Sequence, residues 1–154
     1  AAVFQFPVLY MVGHEDFVLG DKQVVNLRQY LTQGGVLVAE ACCGRKEFDL
    51  AFRREIRRVL PESEMKPLAA DDEIFSVLFK VRGVELSELA RAYYPKLESA
   101  WLEAIRLSGR PAVIYSPLAL ANGWEGIDHP FSAGYSHTDA SRLGVNLFVY
   151  VMSH

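Results

Sequence analysis

Val36-Leu-Val-Ala-Glu-Ala-Cys-Cys-Gly-Arg-Lys-Glu-Phe48 is the stretch on which the fold is decided. A short apolar strand stops at two adjacent cysteines and a glycine, and a helix then opens with Phe48, Phe52 and Ile56 spaced along one face. In α/β proteins such a corner brings the C-terminal end of a strand and the N–H groups of a helix into one crevice, where ligands and reactive side chains collect. Both cysteines of the chain lie in it. Upstream, Phe6 to Val12 is a continuous apolar run stopped by Gly13, the pattern of a strand covered on both faces. Between the two strands, Asp21 reads as an N-cap, Val24, Leu27 or Arg28 and Leu31 as a helical stripe, and Gln33-Gly34-Gly35 as its end. Strand, helix, strand in that order demands a parallel crossover.

The helix after the cysteines runs to about Leu60 before Pro61. It turns Phe48, Phe52, Ile56 and Val59 inward and presents Arg53, Arg54, Arg57 and Arg58 as a solvated face. Glu62 to Asp72 reads as a connection and Ile74 to Val81 as a further strand, followed by a helix over Glu85 to Glu98 broken at Pro95. Trp101 to Leu107 and Ala112 to Ser116, separated by Ser108-Gly109-Arg110-Pro111, read as an antiparallel hairpin. Leu118 to Tyr135, rich in Gly, Pro, Asn and aromatic residues, is too long for a plain turn and is a candidate site loop. Asp139 to Met152 closes the chain as a helix with Leu143, Leu147 and Val151 inward. The expected fold class is α/β, with a mainly parallel, flavodoxin-like sheet, helices on both faces and one local antiparallel hairpin.

The chain has 154 residues, about one domain, and its hydrophobic content of 51% can furnish one core. A net charge of −3 provides no positive field for nucleic acid, and no apolar run approaches the ~20 residues of a membrane span. Two adjacent cysteines cannot staple distant segments, so they leave the compartment open. The opening Ala1-Ala2-Val3-Phe4 has neither an initiator methionine nor a basic leader, and reads as a domain, residues 1–154, lacking an upstream portion.

Leu9-Tyr-Met-Val-Gly-His-Glu-Asp-Phe17, Cys42 to Phe48, Phe52-Arg-Arg-Glu55, Val113-Ile-Tyr-Ser-Pro117, Gly123-Trp-Glu125 and Arg142-Leu-Gly-Val-Asn146 resemble an uncharacterised bacterial domain family. That family is grouped with the class I glutamine amidotransferase-like fold, near the trehalose-utilisation (ThuA-like) proteins. The resemblance covers both ends of the chain, with a poor match over Glu62 to Trp101. It implies an amidotransferase-like sheet and further chain upstream, so that an open sheet edge is expected to be covered by that missing segment or by a second copy.

The same resemblance implies a nucleophile elbow of the form G-x-C-x-G. Here Cys42-Cys43-Gly44 supplies its second half while Glu40 stands at the first glycine. No His-x-Glu follows Tyr115; the nearest candidate is Ile127-Asp128-His129-Pro130. A hydrolase built on this chain would use Cys42 as nucleophile, His14 as base, Glu15 or Asp16 as its orienting carboxylate and the Cys43 N–H as an oxyanion donor. Free cysteines are otherwise buried as small hydrophobes. A metal reading would take Cys42, Cys43 and His14 with His129 or His137, but adjacent cysteines chelate poorly and lack the C-x-x-C spacing, so no metal or other cofactor is expected. Trp124, Glu125 and Tyr135, with Cys43, would line a small-molecule pocket. The leading expectation is a small-molecule-binding or sensory domain on a degenerate amidotransferase-like scaffold. Its rivals are a cysteine-dependent amidase and an interaction module of a larger, membrane-associated protein.

Overall fold

A computed structural model describes residues 2–126 and 129–153. Strand β1 (Val8–Gly13) leads through helix α1 (Asp21–Thr32) to β2 (Val36–Ala41), and β1 pairs parallel with β2, as the crossover requires. A 3-10 turn, Cys42–Gly44, separates β2 from helix α2 (Lys46–Val59). The two-residue strand β3 (Lys66–Pro67) and short helix α3 (Glu88–Tyr93) precede the hairpin β4 (Glu103–Leu107) and β5 (Arg110–Ser116). A one-turn helix α4 (Ala121–Trp124) and the long helix α5 (His137–Ser153) complete the described chain.

The sheet order is β1-β2-β5-β4-β3. Strands β1, β2 and β5 are parallel, whereas β4 and β3 join antiparallel, so the sheet is mixed. Every residue of β2 is buried because it lies between two strands and under helices on both sides. Its alternation sorts the core: Leu37, Ala39 and Ala41 pack with α1 and α2, and Val36 and Val38 pack with α3 and α5. On α2 the inward stripe is Phe48, Phe52, Ile56 and Val59, joined by Ala51 and Glu55. Phe52 stacks on Tyr115 of β5 with ring centroids 4.4 Å apart, and Phe48 continues the stack at 6.0 Å.

Several sequence expectations are corrected. β1 is not covered on both faces: it is the sheet edge, with Tyr10 and Val12 exposed at 38% and 47%. Gly20, not Asp21, occupies the N-cap of α1. Ile74 to Val81 forms no strand; Glu73–Phe75 is a 3-10 turn, and the segment after it is held by Asn146 of α5. The Asn146 amide accepts from the Leu78 and Phe79 N–H groups and donates to the Phe79 carbonyl, which supplies the hydrogen bonds a sheet neighbour would have made. The hairpin turn is only Ser108-Gly109, both residues at positive φ (51° and 85°), the geometry of a tight two-residue hairpin loop. The α2 arginines are not simply solvated. Arg53 grips Glu103 with two nitrogens and Asp49 with a third, while Arg54 and Arg58 reach back to Asp16 and Asp21.

Candidate functional site

Parallel pairing puts the C-terminal ends of β1, β2 and β5 at one margin of the sheet, and the residues just beyond them assemble there. His14 follows β1, Cys42 and Cys43 follow β2, and α4 with its flanking loop follows β5. The cysteine turn is tightly wound: Cys43 has φ 57° and ψ 14°, and Gly44 has φ 66°. Glycine is required at 44, since a Cβ there would meet the Ala133 Cβ at 2.8 Å in a backbone region that side chains resist. The turn is locked to the facing loop by the Ala133 N–H, which donates to the Cys43 carbonyl at 3.1 Å.

This winding sends both sulfurs to the same side. The Sγ atoms lie 3.8 Å apart, and they group with a ring nitrogen of His14, all within 4.8 Å of one another. Asn122 of α4 closes the group: its Nδ2 donates to Cys43 Sγ at 3.3 Å and to Ser132 Oγ at 2.8 Å, with its Oδ1 at 3.9 Å from Cys42 Sγ. Both cysteines are half-buried and His14 is exposed. Burial pushes the Cys42 thiol up to about 12, helped by the adjacent Cys43 sulfur and by the negative charges of Glu40 and Glu125. At neutral pH this thiol keeps its proton.

Beneath the turn lies Glu40, fully buried in β2. Its carboxylate accepts from the Leu120 and Ala121 N–H groups, the latter at 3.1 Å to each oxygen, and from the Tyr10 hydroxyl. Desolvation nevertheless raises its pKa above the ordinary 4.5, because these neutral donors offset only part of the burial penalty. Tyr10 is raised in turn, first by burial and then by the Glu40 charge.

An open cleft of about 740 Å³ adjoins the group, and Ser87, Asn122, His129, Ser132, Tyr135 and His137 are among its lining residues. The Tyr135 hydroxyl is engaged with the Trp101 backbone, accepting from its N–H at 3.0 Å. Trp124 packs away from the sulfurs: its Nε1 donates to the Ala140 carbonyl at 2.6 Å, and its ring lies against Tyr10 and Phe148. Glu125 is exposed and acts on Cys42 through its charge. Among the described residues no hydrogen bond joins Glu15 or Asp16 to His14; Asp16 is taken by Arg54 at 3.0 Å. His129 accepts from the Phe131 N–H, and His137 Nδ1 meets the Gly123 carbonyl, so neither histidine joins the sulfur group. Ile127 and Asp128, which precede His129, lie outside the described residues. The cysteines sit in the 3-10 turn just before α2, which begins at Lys46 with Arg45 as its N-cap.

Asn122, Ser132 and the bonding role of Glu40 escaped the sequence reading. Glu40 did carry a signal, as the lone carboxylate in an otherwise apolar strand, whereas Asn122 and Ser132 reach the turn from 79 and 89 positions away along the chain. No helix of the described residues is long and apolar enough to cross a membrane. A comparison with curated proteins gives no match. The family model described as "Domain of unknown function (DUF4159)" matches residues 1–152. With nearly its whole length matched, and with the cysteine turn, His14 and the α4 loop all inside the match, the chain belongs to the DUF4159 family.

Proposed function

We propose that this domain is a small-ligand-binding or sensory module on an amidotransferase-like scaffold whose hydrolytic turn has degenerated. One observation carries the reading: the Glu40 carboxylate occupies the Leu120 and Ala121 N–H groups beside the cysteine turn. A cysteine hydrolase needs free N–H donors aimed at a developing oxyanion and a thiol that ionises near neutral pH. Here the Leu120 and Ala121 N–H donors beside the turn are filled by the chain's own carboxylate. The Cys42 thiol, raised to about 12, is a poor nucleophile. What remains is a turn presenting two sulfurs, with the His14 imidazole from the end of β1 beside them and an open cleft adjoining, an arrangement suited to holding a ligand.

Alkylation by iodoacetamide tests this. Slow reaction of wild type below about pH 8, with no acceleration from His14, is the expected result. Rapid reaction near pH 6, lost in Cys42→Ser and slowed in His14→Ala, would replace the reading with that of a cysteine-dependent amidase.

A further inference from the structure

Two adjacent cysteines in extended chain point to opposite sides, which is why their spacing reads as unsuited to one ion. The left-handed conformation at Cys43 removes that objection by folding the second side chain back beside the first. The resulting separation of 3.8 Å matches the edge of a tetrahedral site: two sulfurs bound to one ion at about 2.3 Å stand about 3.8 Å apart. A disulfide needs about 2.05 Å. The pair is spaced for a shared ion.

The third vertex is His14. A thiolate and an imidazole on the same ion stand about 3.6 Å apart, and the His14 nitrogen is already within 4.8 Å of both sulfurs. His14 is exposed at the end of an edge strand, so rotation of its side chain covers a shift of about 1 Å without disturbing the core. Around the three ligands the setting favours a cation. Glu40 and Glu125 put negative charge beside Cys42, and the Asn122 amide, itself bonded to Ser132, donates to the Cys43 sulfur as outer hydrogen bonds do to metal-bound thiolates.

We propose that Cys42, Cys43 and His14 bind one thiophilic metal ion of the zinc or copper(I) class, with a fourth position open to water or a small molecule. It rests on the binding reading of this same site and names its ligand. On binding, each cysteine gives up its thiol proton and forms a metal–sulfur bond; no change of oxidation state is involved.

Cadmium reports thiolate ligation by a charge-transfer band in the ultraviolet and serves as the probe on tag-free, reduced protein. A band that saturates at one ion per chain is expected, with affinity reduced at least tenfold in Cys42→Ser, Cys43→Ser and His14→Ala, and about tenfold in Asn122→Ala. Unchanged far-ultraviolet circular dichroism in each variant separates loss of a ligand from loss of the fold. Displacement of cadmium by zinc assigns zinc, and displacement by cuprous ion alone assigns copper(I). Absence of the band, indifference to His14→Ala, or displacement by neither ion would overturn the site. These results stand apart from alkylation: slow alkylation without a cadmium band removes the metal and keeps the binding reading, and rapid alkylation near pH 6 removes the binding reading whatever cadmium does.

Discussion

Glu55 and Glu40 are both sealed from water, on opposite sides of the sheet, and they meet opposite company. Glu55 of α2 accepts from Arg54 at 2.8 Å, from Arg58 and from the Leu19 N–H at 3.1 Å. Burial alone would raise its pKa, but these donors outweigh burial and hold it below the ordinary 4.5. Glu40 receives two backbone N–H groups and a phenol but no cation, and burial wins. The same residue type is therefore a neutralised strut on the α2 side and an uncompensated charge under the cysteine turn. The buried carboxylate with matching cations belongs to the scaffold; the one without lies beside the cysteine turn, where the proposed ion would sit.

The largest effect belongs to the scaffold side. Phe52→Ala opens a cavity between Phe48 and Tyr115 and is expected to cost about 3 to 5 kcal/mol in denaturant titration. A loss below about 1 kcal/mol would show that the α2 side is not the rigid half. Next comes Glu40→Ala, which strands the Leu120 and Ala121 N–H groups and the Tyr10 hydroxyl, at about 2 to 4 kcal/mol. A neutral outcome would mean that water replaces the carboxylate, and the contrast between the two glutamates would dissolve.

Their pH signatures should run in opposite directions. Glu55, with a depressed folded pKa, contributes stability that is present above 4.5 and lost as pH falls through its folded value. Glu40, with a raised folded pKa, binds its proton more tightly when folded, so its effect is loss of stability as pH rises from 4.5 through that raised value. Thermal melts against pH should therefore show the acid-side loss shrinking in Glu55→Gln and the loss on the rising side shrinking in Glu40→Gln. Identical profiles for the two variants would erase the distinction. The smallest effects are on the arginines: Arg54→Ala is expected to cost only a small fraction of the Phe52→Ala loss, because its links to Asp16 and Glu55 are made at the exposed surface. Arg57, exposed and in no ion pair among the described residues, should cost less than about 0.5 kcal/mol when replaced by alanine. A larger loss at Arg57 than at Arg54 would invert the assignment of the helix face.

The legible parts of the chain are those where one period governs a whole element. β2 and α2 announce themselves because their apolar spacing is unbroken, and the inward faces of α2 and α5 follow from it. β1 misleads because an apolar run reports how much surface a strand covers, not whether a second strand pairs with it; its place at the edge is set by strand order. Ile74 to Val81 misleads because its backbone is satisfied by Asn146, some 67 positions away from Phe79, which local pattern cannot reveal. At the site, the cysteines and His14 are visible as residues with the right chemistry. Their grouping depends on a left-handed backbone at Cys43, and a non-glycine residue gives little warning of that conformation.

The edge position of β1 also has a bearing on timing. This strand carries Tyr10, which bonds to Glu40, and leads into His14, yet among the described residues it is hydrogen-bonded to the sheet along one side only. Strands held on one side open by local unfolding more readily than central ones, and their amides exchange with solvent sooner. The imidazole and the phenol thus ride on the segment expected to open before β2 and the cysteine turn. Hydrogen exchange at Leu9 to Val12 should be faster than at Leu37 to Ala39, and anything that fastens the imidazole to the two sulfurs should slow it, so the amides of an edge strand become a clock for the occupancy of the site.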